Sequence, residues 1–314
     1  MCPEEKMAQR VLKRHGLEPP FDLEALVQEY ATVEKRLFPF PADGISIGID
    51  GTSKPQIIIN TRNPNTRQRF TLAHELGHVI IPWHTGTIIS HTKYLDPSFK
   101  LEYREMEAEA NRFAAELLLP TDWVIKRSDE IAHLPTLLTI LLEESGASAE
   151  AAFIKIFNIL DARIVLAELG GDNKCVRHFK TRRVPYAHTL EDVDVVSSSP
   201  FSTYTFQEEF HLAGKRYIAW VFDDSEIEET DGRPWREVLN QILDECDSRE
   251  LLGSVNAVLP SVYQRNKEKT IEDIAPIVVM AYEGREKYKC IVEHNLFPQY
   301  VIKRIKELVD KNKI

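Results

Sequence analysis

The chain has 314 residues, 43% hydrophobic and 28% charged, with a formal net charge of −10. That is globular composition for about two domains; the acidic balance disfavours broad nucleic-acid binding, and apolar stretches such as APIVVMAY (275–282) fall far short of the roughly 20 residues that span a bilayer. The charged opening MCPEEKMAQR lacks the apolar core of a secretory signal, and four scattered cysteines suit reduced thiols, so a cytoplasmic chain with no membrane partner is expected.

EEKMAQRVLKRHG (4–16) reads as a short amphipathic helix ended by Gly16 and the prolines at 19 and 20. Asp22 then caps a second helix, LEALVQEY. ISIGID and QIIIN are rich in β-branched residues and flank the spacer GTSKP, which predicts a β-hairpin. NPNTRQRFTLAHELGHVII predicts a helix with Asn65 or Thr66 as N-cap and Pro82 as its stop, followed by a polar, irregular segment to about Tyr103. REMEAEANRFAAELLLP (104–120) is the strongest helix signal in the chain. Two more helices are expected around 135–145 and 148–160, then a hairpin of RIVLAEL and KCVRHFKT. Further on, YIAWVFDD reads as a strand, and PWREVLNQILDECD and FPQYVIKRIKELVDKNK as helices.

The chemistry concentrates in residues 70–86, FTLAHELGHVIIPWHTG. Residues four apart share a helix face, so His74 and His78 can hold one metal ion between them. Glu75 is angularly displaced, where its carboxylate can serve as a base instead of a ligand. A third ligand is required, and two candidates compete. His84 follows on a loop; Glu107 sits on the second strong helix, with Asn111 four residues on and able to orient a histidine from behind. The carboxylate on a packed helix is the better placed of the two. Glu105 and Glu109 read as solvated helix faces. Tyr94, Tyr103, His84 and His91, in the segment between the two helices, are candidates for stabilising an oxyanion.

DGIS (43–46), QRFTLAHELGH (68–78) and EAEANRFAAELLLP (107–120) together resemble the ImmA/IrrE family of zinc metallopeptidases over roughly residues 1–160. The resemblance implies a minimal gluzincin-like fold, one Zn2+ per chain on His74, His78 and Glu107, and Glu75 as the base. It also implies a protein substrate that is itself a transcriptional regulator, in a stress or phage response. IPWHTG departs from the family pattern and adds His84 near the site.

The expected fold class is α+β. Residues 1–165 form the metallopeptidase-like domain, a small sheet with the H-E-x-x-H and Glu-bearing helices plus a trailing helix pair. Residues 166–184 form a basic hairpin or linker, and 185–314 a separate mixed α/β domain for sensing or partner binding. The helix pair at 135–160 also suits a helix-turn-helix, but its second helix offers Lys155 almost alone to a DNA groove, which disfavours DNA as a partner. The competing reading is a DNA- or partner-binding regulator whose zinc site is structural or residual. An extended substrate is expected to add to an edge strand of the ISIGID–QIIIN hairpin.

Overall fold

The computed structural model describes residues 1–49, 51, 53–90, 100–184, 190–198, 200–201, 204–222, 229–283 and 285–312. Its architecture is α+β, and the chain divides into two compact units, Met1–Ile159 and Leu160–Ile314. No helix among the described residues is long and apolar enough to cross a membrane.

The first unit begins with α1 (Pro3–His15), where the Glu5 side chain accepts from the Cys2 backbone N–H at 2.7 Å and Gly16 closes the far end in the left-handed region. In α2 (Leu23–Tyr30) the Asp22 carboxylate accepts from the Ala25 N–H, as expected of a cap. Four strands follow, β1 (Thr32–Arg36), β2 (Gly44–Ile47), β3 (Gln56–Asn60) and β4 (Ile88–Ser90), ordered β1-β3-β2-β4. The hairpin forms as an antiparallel β2–β3 pair, but β1 runs parallel to β3 on one side and β4 pairs with β2 on the other. Both hairpin strands are therefore interior, so neither offers the free edge expected for a substrate; the edges are β1 and β4. Strand β1, TVEKR, was invisible to hydrophobic patterning because its side chains are exposed or half-buried.

The ligand helix α3 (Asn65–Ile80) starts after Pro64, not at an Asn65 or Thr66 cap, and makes no side-chain cap bond. It lies against the sheet through the buried Ile57 and Ile59 and against α4 (Lys100–Leu118) through Phe113, Ala114 and Leu117. Helices α5 (Thr121–Glu130), α6 (Leu134–Ser145) and α7 (Ala149–Ile159) complete the unit. The buried face of α7 is Ala152, Phe153, Ile156 and Phe157. Lys155, the one cation expected to reach a groove, bonds the buried Glu116 carboxylate at 2.5 Å. That is the arrangement of a packed helix pair.

In the second unit β5 (Ile164–Leu169), β6 (Cys175–Lys180), β7 (Phe206–Leu212) and β8 (Lys215–Val221) form an antiparallel sheet ordered β6-β5-β8-β7. Strands β5 and β6 are the hairpin read from the basic stretch. Helices α8 (Trp235–Glu245), α9 (Leu252–Asn266), α10 (Ile271–Glu283), α11 (Lys289–Glu293) and α12 (Phe297–Asn312) pack around Leu239, Val278, Tyr282, Phe297 and Tyr300. Cys246 and Cys290, expected as thiols, are joined in a disulfide with Cα atoms 5.8 Å apart. The bundle brings the end of α8 to α11 across 44 residues, a proximity that sequence spacing does not reveal.

Candidate metal centre

Residues 71–78 of α3 are all buried, which is unusual for eight consecutive helical positions that include two histidines and a glutamate. The cause is packing on two sides, the sheet on one and α4 on the other. Gly77 makes the close approach of α4 workable: a Cβ there would lie 3.1 Å from the Phe113 ring and 3.3 Å from the Ala110 Cα. The side chains of α4 that follow the same face then reach the histidines.

Ligand atoms of His74, His78 and Glu107 all lie within 4.8 Å of one another, and this is the one such group of three among the described residues. The His74 and His78 Nε2 atoms are 3.0 Å apart. The Glu107 carboxylate stands 3.6 Å from the first and 3.4 Å from the second. Behind them, His74 Nδ1 meets the Asn111 Oδ1 at 3.0 Å and His78 Nδ1 meets the His84 Nδ1 at 2.9 Å. An amide oxygen only accepts, so His74 carries its proton on Nδ1 and presents a bare Nε2 to the cluster. Glu107 is held on the same α4 face as Asn111, one turn earlier, as the spacing predicts.

Burial opposes charge on His74, but the Glu107 carboxylate beside it raises its pKa above the ordinary value. For His78 burial wins, and its pKa falls to about 4, helped by the neighbouring His74 and His84. Burial pushes the Glu107 carboxyl up, yet the two imidazoles against it hold it well below the usual range. The cluster is thus an anion facing two imidazole nitrogens, a donor set suited to a cation.

Glu75 is fully buried beside this group. Burial is the main cause that raises its pKa to about 7, against the opposing pull of His74 and of the Ser46 and Ser90 hydroxyls. The Ser46 hydroxyl on β2 donates to Glu75 Oε2 at 2.6 Å. Oε1 has no hydrogen-bond partner among the described residues. It faces Gly44, where a Cβ would come within 2.4 Å of it. The start of β2 is itself fixed by Asp43, which accepts from Arg67 at 2.5 Å and from Asn63 at 2.8 Å. Gly44 and Ser46 lie in the DGIS stretch that carries part of the resemblance, where no spacing rule marks either of them as a neighbour of Glu75.

The remaining candidates separate. Tyr103 lies on α4 one turn before Glu107, and its hydroxyl donates to the Ile89 carbonyl at 2.8 Å. His84 is buried behind His78, with its Nε2 2.9 Å from Glu109. Glu109, expected as a solvated residue, instead accepts from both His84 and the Trp83 indole, the latter at 2.6 Å. The turn that follows Pro82 folds Trp83 and His84 back onto α4, which spacing along one helix could not reveal. Glu105 is exposed, as expected. His91 and Tyr94 lie outside the described residues.

Residues 30–156 match the peptidase M78 family model, described as the IrrE N-terminal-like domain. The resemblance read from the motifs therefore holds over that stretch, which includes α3 and α4. No match is found among the curated proteins. Among solved structures, a Mycobacterium tuberculosis transcriptional regulator is similar at 12% identity and a TM-score of 0.40, covering 70% of this chain and 76% of that one.

Proposed function

We propose that this chain is a zinc-dependent endopeptidase of the gluzincin type that hydrolyses a peptide bond in a regulatory protein. The observation that carries the reading is the pair of imidazole Nε2 atoms 3.0 Å apart, each backed through Nδ1 and both facing one carboxylate. Two nitrogen lone pairs turned on each other inside a protein repel unless a proton or a metal cation lies between them, and the Glu107 carboxylate facing both favours that positive charge. With Zn–N bonds of about 2.0–2.1 Å, tetrahedral ligands stand about 3.3 Å apart, close to the three separations here. The residues therefore fit one Zn2+ per chain on His74, His78 and Glu107, with a fourth position open. The match of residues 30–156 to a peptidase family supports the same reading.

Zn2+ bound there supplies a Lewis acid that polarises a carbonyl and lowers the pKa of a water towards about 7. Glu75 supplies the proton handling. Its Oε1 is the oxygen left without a hydrogen-bond partner, placed to accept a proton from the attacking water and return it to the leaving amine. Ser46 holds Oε2, so the carboxylate keeps one orientation while Oε1 works. Burial excludes bulk water from this exchange. Tyr103, on the Glu107 face of α4, is the described candidate for steadying the developing oxyanion once its hydroxyl leaves the Ile89 carbonyl. The substrate class, a transcriptional regulator, follows from the family resemblance, and residues 160–314 are the part of the chain free to select it.

A structural zinc site has no use for a buried base beside its ligands, which disfavours the regulator-only reading. The test is mass-spectrometric comparison of cellular proteins after expression of wild type and Glu75→Gln. New protein termini present with wild type and missing with the variant are expected. Identical termini in both would refute the peptidase reading.

A further inference from the structure

His84 has each ring nitrogen committed. Its Nδ1 lies 2.9 Å from His78 Nδ1, and its Nε2 lies 2.9 Å from Glu109 Oε2. The same carboxylate oxygen accepts from the Trp83 indole N–H at 2.6 Å. An ionised carboxylate can only accept, so the proton on His84 belongs on Nε2. Its Nδ1 is then a bare acceptor, and the proton between the two rings belongs to His78. His78 Nε2 is left without a proton and points at Glu107, 3.4 Å away. Each link dictates the next, from Glu109 to His84 to His78.

From this we infer that His84 and Glu109 form a relay that fixes the tautomer and ring orientation of His78, and so act as positioning residues for metal capture. The inference rests on the metal site proposed above, and it extends that site to residues outside the ligand set. His74 has a different support, a neutral amide from Asn111. The two ligand histidines are thus held by unlike partners, and the His78 partner comes from the stretch where the chain departs from the family pattern. His84 is not free to bind the ion, because either of its nitrogens would have to abandon its present partner. Partners of this kind change metal affinity by about 10–100-fold when removed.

The test uses the full chain with uniformly 15N-labelled histidine. His84→Phe removes the acceptor at similar size. His84→Asn restores an amide oxygen near the position of Nδ1. Glu109→Ala alters a partly exposed side chain and leaves the buried ring in place. Zinc affinity, from competition with a chromogenic chelator, is expected to fall about 10–100-fold in His84→Phe, less in Glu109→Ala, and to recover in His84→Asn. Imidazole nitrogen shifts of the metal-free protein should report His78 protonated on Nδ1 in wild type and as a tautomer mixture in His84→Phe. A merely structural role for His84 would not move that tautomer ratio, nor be rescued by asparagine. Unchanged affinity and an unchanged His78 tautomer in both His84→Phe and Glu109→Ala would overturn the relay. Three imidazoles on the metal in wild type would overturn it as well, by making His84 a ligand. Wild type that binds no zinc would sink the metal site itself, and the metal-free nitrogen shifts would still decide the relay.

Discussion

In the first unit two turns of α3, residues 71–78, are buried with His74, Glu75 and His78 among them, whereas the buried faces of α8 and α12 in the second unit carry aromatic and aliphatic residues with Lys303 as the one charged exception. Only Arg163, Glu168, Thr181 and Lys303 are both polar and buried among the described residues of the second unit. A buried polar atom without a partner, such as Glu75 Oε1, costs about 1–3 kcal/mol. A buried leucine such as Leu239 contributes roughly 1.5–3 kcal/mol instead. The first unit therefore gathers several buried polar groups around His74, Glu75 and His78, whereas the second holds few in an interior built mostly on apolar packing.

That contrast can be broken in four ways, from the largest effect to the smallest. Glu75→Gln should retain zinc and lower cleavage by about 10²–10⁴-fold, as expected for a lost general base. Gly44→Ala should act in the same direction, because its Cβ would displace Glu75 Oε1; metal analysis beside a cleavage assay checks both. In the second unit Leu239→Ala should cost about 2–5 kcal/mol in urea unfolding while zinc affinity stays at the wild-type value. A change in zinc affinity there would erase the contrast.

The third concerns pH in the metal-free protein. The Glu75 pKa is raised from 4.5 to about 7, so between those values the native state keeps a proton that the unfolded chain has released. Its contribution therefore falls as pH rises through that window, by about 3 kcal/mol in total. His78 is lowered from 6.5 to about 4, so the unfolded chain binds the extra proton and stability rises with pH across that range. The two slopes oppose each other, and Glu75→Gln should remove the falling contribution of Glu75, so that between pH 5 and 6 the rising contribution of His78 shows. Urea unfolding of both proteins at pH 5, 6 and 7 after chelation measures this; parallel profiles would count against a buried, protonated Glu75. The smallest effect is from zinc itself. At a hundred times its dissociation constant it should stabilise the first unit by about 2.7 kcal/mol, with hydrogen exchange in α8 and α12 unchanged.

Much of the first unit was legible because its signals are local. Asp22 caps α2, Gly16 closes α1, and the four-residue spacings of His74 to His78 and Glu107 to Asn111 place their partners on shared helix faces. What stayed hidden depends on contacts between distant segments. Strand β1 is held by pairing with β3 and not by its own polar sequence. Ser46 and Gly44 matter only because β2 passes Glu75, and Glu109 only because Trp83 and His84 fold back on α4. In the second unit α9 and α10 contain Pro260 and Pro276 in their interiors, which reads as helix-breaking until the bundle overrides it. Strand β7 alternates, with Glu208, Phe210 and Leu212 turned inward, but the charged Glu208 on that face hides the alternation from hydrophobic patterning.

The most direct test of the central claim is X-ray absorption at the zinc edge of the loaded full-length protein, paired with metal content of Glu107→Ala. The account predicts one zinc per chain, two imidazole nitrogens at about 2.0–2.1 Å with oxygen filling the remaining positions, and loss of most of the metal in Glu107→Ala. Three imidazoles around the ion, or full zinc occupancy in Glu107→Ala, would contradict it.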